Sequence, residues 1–567
     1  MNIAYIEQSN LLTELSSREA NSLEFVVLVT GALESQKKEA ITPILQEAIR
    51  VLKKGGLLFV QGLPPILPQF GVYLEKELTF KYWFAVESTL IDNKPLPSVH
   101  GAVMLFTKNG RRFNIKRTRL PHQHCQACER TLKDWGGKAH LMNPNGYVIS
   151  DVIKDLPTDN NYTQLSRPLF DLLLDMLDFA DNGQRPKNSL VDLPDIPISG
   201  LVGPTEGLAW QQPSVKVAEP SNQYYLPTLM PSENGRYVPP ATPTIDQNNL
   251  YNVIHQGDSL DILRQYPDES VDLVFADPPY NLDKDYTVYD DELADQKYVE
   301  WCNDWLAEYA RILKPTGSLF VLNLPRWAMH HADFLNQHLY FQNWIVWDAL
   351  SEPRGKVMPA HYALLFYTKH PTDFTFNYEA ISPIDARHYC LRASCVRQRK
   401  EEGDDEKWPL TDIWWDIHRI KHRRDRDYHP CQLPDLLMER IIHLATNPGD
   451  VVLDAFGGAG TTPITALQLD RRYVAIDLDP NYVDIMRHKI AQVEMVGAVQ
   501  RESIKQKTRP VTKKALQLEL RRLSSELDRL PTPEDVTERS SYDLSLYLDT
   551  FPTWGKALKA AKLEIQA

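Results

Sequence analysis

The sequence predicts an α/β fold, and three observations lead to this prediction. Residues 449–477 have the pattern of a βαβ unit: a short apolar strand, a glycine-rich turn, a helix over 461–468 and a second strand that ends at Asp477. The apolar run 271–276 predicts another strand, which an acid and two prolines end. Segments 50–60 and 311–321 share one helix-to-strand pattern, so the fold is expected twice.

The glycine-rich turn is suited to a ligand that contains a nucleoside. Glycines let the backbone adopt positive φ and approach a ligand closely. Asp477 follows the turn by about 20 residues, where an acid can accept hydrogen bonds from two ribose hydroxyls. No lysine follows the glycines, which disfavours a phosphate-binding P-loop. Asp454, just before them, favours a cationic ligand without phosphate.

The tetrapeptide Asp277-Pro278-Pro279-Tyr280 closes the strand predicted at 271–276. The carboxylate and backbone carbonyls can accept hydrogen bonds from an exocyclic NH2 group, and the prolines fix the backbone and remove competing donors. Tyr280 offers a stacking face for a flat base. Taken alone, the tetrapeptide also fits a turn at the end of a strand, and the glycine-rich unit decides between the two interpretations.

Together, these motifs resemble those of the DNA amino-methyltransferases that use S-adenosylmethionine, and their order along the chain resembles the beta class. The turn at Gly257-Asp258, the strand 317–321 and the segment 429–442 match further motifs, so the resemblance covers about residues 252–490. It implies a circularly permuted, Rossmann-like methyltransferase sheet. It also implies catalysis by the tetrapeptide and cofactor binding by Asp258, His429, Gln432, Asp454, Phe456, Gly457, Gly458, Gly460 and Asp477.

The resemblance implies methyl transfer to the exocyclic amine of a flipped-out base. An acid at the first position of the tetrapeptide resembles the adenine-N6 enzymes, so we expect N6 of adenine, with N4 of cytosine as the alternative. A non-catalytic DNA-binding protein that kept this fold is an alternative from another class. An RNA or protein methyltransferase would share the cofactor site. A cognate restriction endonuclease or a defence-system protein is the expected partner of such an enzyme.

The net charge of −13 does not by itself indicate a nucleic-acid partner, because local patches matter more than the sum. Two basic groups lie between the catalytic and cofactor motifs: Arg387, Arg392, Arg397, Arg399 and Lys400, then Arg419, Lys421, Arg423, Arg424 and Arg426. In the beta class this interval holds much of the target-recognition element. We therefore expect contacts with double-stranded DNA, although a solvated charged loop would have the same composition.

Bulk composition is that of a soluble globular protein, with 43% hydrophobic and 24% charged residues among 567. No apolar run approaches the length of a membrane span. The N-terminal residues lack the basic and apolar regions of a signal peptide. The expected location is the cytoplasm.

The first half of the chain is expected to be a degenerate copy of the catalytic half. The offset of 261 residues that relates 50–60 to 311–321 also relates His100 to His361 and Asp151 to Asp412. At the strand before the catalytic motif the offset is 248, which places a longer loop in the catalytic half. The copy has neither the acid-proline-proline-aromatic cluster nor a glycine-rich loop. It would act as a built-in second subunit, which makes the chain an internal pseudo-dimer and favours a monomer.

Four regions follow from these patterns: a degenerate methyltransferase-like domain (1–200), a linker rich in Pro, Ser, Asn and Gln (201–247), the catalytic domain (248–498) and a helical module (509–567). In the module, Thr532 is the expected N-cap of a helix with proline in its first turn. The module resembles the repeat associated with homing endonucleases, which implies DNA binding; a packing appendage is the alternative.

The cysteines argue against a disulfide framework in a cytoplasmic chain. Cys125 and Cys128 have the spacing of a zinc knuckle, and Cys390 and Cys395 lie in the corresponding region of the other half. Each pair supplies half of a tetrahedral site. Two interpretations stay open: a structural zinc shared between the halves, or ordinary thiols in packed loops. Cys302 is expected to be a buried thiol, and Cys431 a packing residue.

Overall fold

Two β-sheets organise the first unit of the computed structural model, Met1–Ala498, and helices form the described part of the second unit, Val499–Ala567. The structure describes residues 4–6, 11–30, 38–92, 95–109, 115–132, 142–154, 156, 166–176, 200–202, 244–281, 293–349, 356–390, 392–404, 406–419, 432–497, 513–527, 529–540, 542, 544–551, 553–561 and 563. The α/β class predicted from the sequence is confirmed.

The first sheet has the strand order β1-β9-β2-β3-β5-β4-β8, with β2 and β3 parallel and β5 antiparallel to its neighbours β3 and β4. Its region comprises β1 (Ala4–Ile6), α1 (Leu11–Ser17), β2 (Leu23–Val29), α2 (Lys38–Val51), β3 (Leu52–Gly62), α3 (Leu67–Glu75), β4 (Leu78–Asp92), β5 (Ser98–Lys108), β6 (Arg119–Leu120), β7 (Tyr147–Val148), β8 (Val152–Ile153), α4 (Arg167–Met176) and β9 (Gly200–Val202).

The second sheet has the order β10-β19-β18-β11-β12-β14-β13-β17. Its first five strands in this order, β10, β19, β18, β11 and β12, are parallel to one another. Its region comprises β10 (Val253–Gln256), α5 (Ser259–Leu263), β11 (Val271–Ala276), α6 (Asp295–Ile312), β12 (Leu313–Asn323), α7 (Pro325–Leu335), β13 (Tyr340–Asp348), β14 (His361–Thr368), β15 (Ile384–Asp385), α8 (Ala393–Glu402), β16 (Lys407–Trp408), β17 (Ile413–Trp414), α9 (Asp435–Ala445), β18 (Val451–Asp454), α10 (Thr461–Gln468), β19 (Arg472–Asp477) and α11 (Pro480–Val496).

The two sheets share strand order and register over β2-β3-β5-β4-β8 and β11-β12-β14-β13-β17. Leu57 pairs with Thr107 in the first sheet, and Ser318 pairs with Thr368 in the second, each 261 positions later. A register shift next to Phe80 recurs next to Phe341, again 261 positions later. This agreement, which includes the position of the register shift, is what a duplication would produce.

The two halves pack against each other through residues that also obey the 261-residue offset. The rings of Trp83 and Trp344 stack on each other with centroids 4.1 Å apart and planes 3° apart. The N–H of Val99 donates to Asp412 (2.9 Å), and the N–H of Ala360 donates to Asp151 (2.8 Å). Each half thus uses the same patch towards the other, as two subunits do in an isologous dimer.

The first sheet departs from the second where the cofactor motif would lie. In the second sheet, β11 has β18, the strand before the glycine-rich turn, as its neighbour. In the first sheet, the equivalent strand β2 pairs instead with the antiparallel β9. Leu201 and Val202 therefore belong to a strand rather than to the predicted linker, and linker residues 203–243 lie outside the described residues.

The described part of the second unit contains α12 (Lys513–Leu527), α13 (Pro533–Arg539), α14 (Leu544–Thr550) and α15 (Trp554–Ala560). Leu516, Leu520 and Leu523 of α12 are buried in its core. Thr532 and Asp535 form a capping box at the start of α13, which confirms the predicted N-cap. In the parts of both units that the structure describes, every helix is too short or too polar to cross a membrane.

Candidate active site

The two motifs meet in one cavity at the carboxyl ends of β11 and β18. These parallel strands are neighbours, and Phe275 pairs with Asp454, so Asp277 and the glycine-rich turn leave the sheet side by side. The cavity is lined by Asp258, Ser259, Leu260, Phe275, Asp277, Pro278, Pro279, Tyr280, Trp301, Trp305, Gln432, Leu433, Asp454, Ala455, Phe456, Gly457, Gly458, Ala459, Thr461, Thr462, Asp477, Leu478, Asp479 and Tyr482. Ligands of open α/β sheets bind at such a crevice.

Hydrogen bonds from α6 and α7 hold the backbone of the tetrapeptide. The hydroxyl of Tyr298 donates to the carbonyl of Pro279 (2.6 Å), and Nε1 of Trp327 donates to the carbonyl of Tyr280 (2.8 Å). The hydroxyl of Tyr280 donates to Oδ1 of Asp277 (2.5 Å). The carboxylate and the aromatic ring are therefore fixed relative to each other.

Asp454 holds the glycine-rich turn through hydrogen bonds. Its carboxylate accepts hydrogen bonds from the N–H of Phe456 (2.9 Å) and the hydroxyl of Thr462 (2.6 Å). Gly460 has φ +84° at the start of α10, and a Cβ atom there would lie 2.7 Å from Met486. Both the backbone conformation and the lack of space therefore require glycine at position 460.

Asp477 ends β19 opposite the same turn. Its two carboxylate oxygens accept the N–H groups of Gly458 (2.7 Å) and Asp479 (2.8 Å). Burial raises the pKa of Asp477 to about 7 and that of Asp454 to about 6. Near neutral pH, a cationic ligand or a pair of donating hydroxyls would favour the ionised form of these acids.

If Asp477 accepts ribose hydroxyls, as the resemblance implies, its raised pKa predicts a pH-dependent affinity for S-adenosylhomocysteine, the demethylated form of the expected cofactor. Ribose hydroxyls donate better to a carboxylate than to a carboxylic acid, and the ionised fraction grows as the pH rises through 7. We expect the affinity to increase from about pH 6 to about pH 8, by at most about tenfold per unit for one titrating group. Isothermal titration calorimetry would measure it. In Asp477→Asn the dependence should flatten, and an unchanged slope in that variant would contradict this assignment.

Asp258 and its neighbours form the side of the cavity next to β10. Asp258 caps α5, because its carboxylate accepts the N–H groups of Leu260 (2.9 Å) and Asp261 (3.2 Å). Ser259 donates to the carbonyl of Ala455 (2.6 Å), which connects this turn to the cofactor motif. Gln432, one of the predicted cofactor-binding residues, lines the cavity, whereas His429 and Cys431 lie outside the described residues.

Several cavity residues were not predicted from the sequence. Trp301 and Trp305 of α6 are four residues apart on one helix face, and their rings meet the ring of Phe456 at centroid distances of 5.8 and 5.4 Å. Tyr482 of α11 lines the cavity too. A tryptophan pair at i, i+4 in the first described helix after the tetrapeptide predicts one apolar helix face, which is equally typical of a packed core and of a cavity wall.

The structure separates the predicted DNA-contacting residues into different groups. Arg397 and Lys400 of α8 are exposed. Arg419 lies over the ring of Tyr362, with its guanidinium carbon 5.2 Å from the centroid, and Tyr362 is next to Tyr280, with ring centroids 6.1 Å apart. Arg419 is therefore close to the catalytic motif. Lys421, Arg423, Arg424 and Arg426 lie outside the described residues.

Three of the basic residues predicted to contact DNA have other environments. Arg399 is completely buried and donates to the carbonyl of Cys390 (3.1 Å), so its predicted contact with DNA is wrong. Arg387 makes a two-fold hydrogen bond with Glu87 of the first half (2.6 and 2.7 Å). It joins the halves instead of presenting its guanidinium to a phosphate. Arg392 donates to the carbonyl of Thr131 (2.6 Å), also across the halves. A run of charges in the sequence does not show which side chains turn inwards.

The four cysteines singled out in the sequence come together. The Sγ atoms of Cys125, Cys128, Cys390 and Cys395 all lie within 4.8 Å of one another. Cys302, on α6, is completely buried away from this group, which confirms the predicted buried thiol. Burial raises its pKa well above the ordinary thiol value.

Comparison of the chain with known proteins relates it to a family. A family profile described as DNA methylase matches residues 271–488. The chain is similar to the type II methyltransferase M.BamHI of Bacillus amyloliquefaciens, with 36% identity over 274 residues, which is 46% of this chain and 62% of that protein. It is also similar to the DNA adenine methyltransferase YhdJ of Escherichia coli (strain K12), with 32% identity over 248 residues, which is 42% of this chain and 83% of that protein.

Two further matches complete the comparison. Among solved structures, the cytosine-N4-specific PvuII DNA methyltransferase has a TM-score of 0.31 and 20% identity, over 41% of this chain and 84% of that one. A profile described as homing endonuclease associated repeat matches residues 511–564. The chain thus spans less than two thirds of the length of M.BamHI, and its second unit matches a separate family.

Proposed function

Because the chain belongs to the DNA methylase family, we propose that its residues 248–498 transfer a methyl group from S-adenosylmethionine to N6 of adenine in double-stranded DNA. The observation that carries this proposal is the single cavity at the ends of β11 and β18, which holds the predicted catalytic tetrapeptide and the glycine-rich turn together. A cofactor and a base placed in this cavity would lie next to each other.

The lining of the cavity fits S-adenosylmethionine. Five aspartates contribute to it, and no Lys, Arg or His is among the described residues that line it. A pyrophosphate would be repelled there, whereas a cationic nucleoside would be attracted. Asp477 would accept the ribose hydroxyls, Asp258 would contact the adenine, and Phe456, Trp301 and Tyr482 supply apolar faces. When bound, S-adenosylmethionine supplies a methyl group carried by a sulfonium.

The chain's own residues prepare the amine. The lone pair of an exocyclic amine is delocalised into the ring, which makes the nitrogen a poor nucleophile. Asp277 and the carbonyl of Pro278 would each accept a hydrogen bond from the NH2 group. These two bonds draw the nitrogen towards a tetrahedral shape and direct its lone pair towards the methyl group. Tyr280 would stack on the base while its hydroxyl holds Asp277. The gain comes from positioning and from electrostatic preorganisation. A base inside a duplex cannot reach this cavity, so it must be flipped out.

DNA would approach from the side of Tyr362 and Arg419. Arg419 stands over Tyr362 next to Tyr280, so a positive charge flanks the entry to the catalytic motif. The exposed Arg397 and Lys400 of α8 would contribute phosphate contacts. The second unit would add a DNA-binding surface, as the match to a homing endonuclease associated repeat suggests.

Identification of the methylated nucleoside tests the proposal. The chain would be expressed in cells that lack their own DNA methyltransferases, and the digested DNA analysed by mass spectrometry. We expect N6-methyladenine with the parent chain and far less of it with Asp277→Ala. N4-methylcytosine would overturn the choice of base and keep the reaction. The absence of any methylated base, with purified chain that binds S-adenosylmethionine, would favour a non-catalytic DNA-binding protein.

We infer that the first half serves as a built-in second subunit without a cofactor site. Its sheet has β9 where the second sheet has the strand of the cofactor motif, and its contacts with the catalytic half follow a constant offset. The chain would then act as a monomer that contains a pseudo-dimer. A cognate restriction endonuclease or a defence-system protein would be its partner in the cytoplasm. Methylation by this chain would protect DNA from that partner.

This inference predicts one cofactor site per chain. Calorimetric titration with S-adenosylmethionine should give a stoichiometry of one, since only the second half has the glycine-rich turn. Asp477→Ala should weaken that one site, which would assign it to the second half. Two equivalents per chain, or binding that survives unchanged in Asp477→Ala, would contradict a first half without cofactor.

A further inference from the structure

We propose that Cys125, Cys128, Cys390 and Cys395 bind one zinc ion that fastens the two halves of the first unit to each other. Two ligands come from the first half and two from the second, so neither half has a complete site. The role is structural, because a closed set of four protein ligands leaves no position for a substrate.

The spacing of the four sulfurs fits a single ion. Sγ of Cys125 is 3.7 Å from Sγ of Cys395, and Sγ of Cys128 is 3.6 Å from Sγ of Cys390. Zinc–sulfur bonds of about 2.3 Å in a tetrahedron place the sulfurs about 3.8 Å apart. The sulfurs of a disulfide are about 2.0 Å apart, and the five cysteines that the structure describes are all free. These separations therefore match one tetrahedral ion and not a bond between two cysteines.

Groups around the sulfurs supply what a thiolate site needs. The N–H of Cys390 donates to Sγ of Cys125 (3.3 Å), and Nη1 of Arg399 is 3.4 Å from Sγ of Cys395. Zinc with four thiolates has a net charge of −2, and a buried guanidinium next to the sulfurs offsets part of it. Such outer partners orient the ligands and tune their basicity. The site also gives a reason for the complete burial of Arg399, which the DNA hypothesis could not.

The site lies where the two halves exchange backbone contacts. The N–H of Gln126 donates to the carbonyl of His388 (3.1 Å), and Arg392 donates to the carbonyl of Thr131 (2.6 Å). Cys395 and Arg399 occupy one face of α8, while Arg397 and Lys400 are exposed on another. A zinc ion here would anchor the start of α8 to the first half and thereby fix the direction of its exposed basic residues.

Elemental analysis of the full chain, purified without chelator or histidine tag, tests the proposal. We expect one zinc per chain, with Cys128→Ser and Cys395→Ser each losing it, although they alter different halves. Cys302→Ser is the matched control, since it removes another thiol of the first unit and should keep the metal. Zinc at full occupancy in either cluster variant, iron in place of zinc, or no metal in the parent chain would overturn the assignment.

A second measurement, made on the unaltered chain, tests the proposal even where the cysteine variants do not fold. Titration with an organomercurial reagent, with released zinc followed by an indicator dye, should release one zinc as four thiols react. Replacement by Co²⁺ should give the intense sulfur-to-cobalt absorption of a tetrahedral four-thiolate site. Release that needs no thiol modification, or a cobalt spectrum without charge transfer from sulfur, would count against it. These readouts do not depend on methyl transfer, so the zinc site and the proposed enzyme activity can fail separately.

Discussion

Replacement of Asp277 by alanine is expected to slow methyl transfer by about 100- to 1000-fold, the usual effect of removing one preorganised hydrogen-bonding group from a transition state. In the proposed mechanism the amine nitrogen gains positive charge as it is methylated, and the Asp277 carboxylate accepts hydrogen bonds from it. Asp277 is anchored by Tyr280 at 2.5 Å and lies at the end of β11, whereas the glycine-rich turn is held by Asp454 and Asp477. The affinity for S-adenosylmethionine should therefore change little.

Single-turnover methylation of duplex DNA, with cofactor affinity measured separately, would check this result. Asp268→Asn is a suitable control, because Asp268 is exposed and its ion pair with Arg311 lies at the surface, where such pairs contribute little. Tyr280→Phe should show a smaller loss than Asp277→Ala, since it keeps the stacking ring and removes only the hydroxyl that holds the carboxylate. Methylation by Asp277→Ala at the parent rate would show that the tetrapeptide does not act on the amine.

The sequence predicted the parts of the site that depend on local signals. The strand Val271–Ala276 and the helix Thr461–Gln468 have the predicted bounds, because an apolar run that ends at proline and a glycine turn before a helix are local patterns. That both motifs share one cavity followed from the resemblance, and the pairing of β11 with β18 gives its physical cause. The offset of 261 residues also anticipated the strand register of the two sheets.

The sequence did not reveal features that depend on tertiary packing. The spacing of Trp301 and Trp305 is equally typical of a helix face in any core, so it does not identify a cavity wall. Arg399 and Lys400 are adjacent in the sequence, yet one is buried against cysteines and the other is exposed. Only the rotation of α8 about its axis distinguishes them, and composition carries no information about that rotation.

Removal of the tryptophan stack between the halves is expected to have the largest effect on stability. Trp83 and Trp344 are both almost completely buried, and their rings stack on each other. Trp83→Ala should lower the free energy of unfolding by about 3–5 kcal/mol, through lost burial and the cavity it leaves. Trp344→Ala should cost more, because Nε1 of Trp344 also donates to Nε2 of the buried His361 (3.1 Å). Urea unfolding followed by circular dichroism would measure both.

The double variant tests whether the halves depend on each other. If the two rings stabilise the fold mainly through their mutual contact, the second substitution lowers the free energy of unfolding by less than it does in the parent chain. The double-mutant cycle should then show a coupling energy of about 0.5–1.5 kcal/mol. Tyr340→Ala is the control, since Tyr340 is on the same strand as Trp344 but is 51% exposed, and it should be nearly neutral. Strict additivity of Trp83→Ala and Trp344→Ala would mean that the first half does not brace the catalytic half through this stack. A measurable coupling would instead make the first half part of the folding unit that carries the catalytic site, because the same strand pair, β13 and β14, connects Trp344 to β12 and the tetrapeptide strand β11.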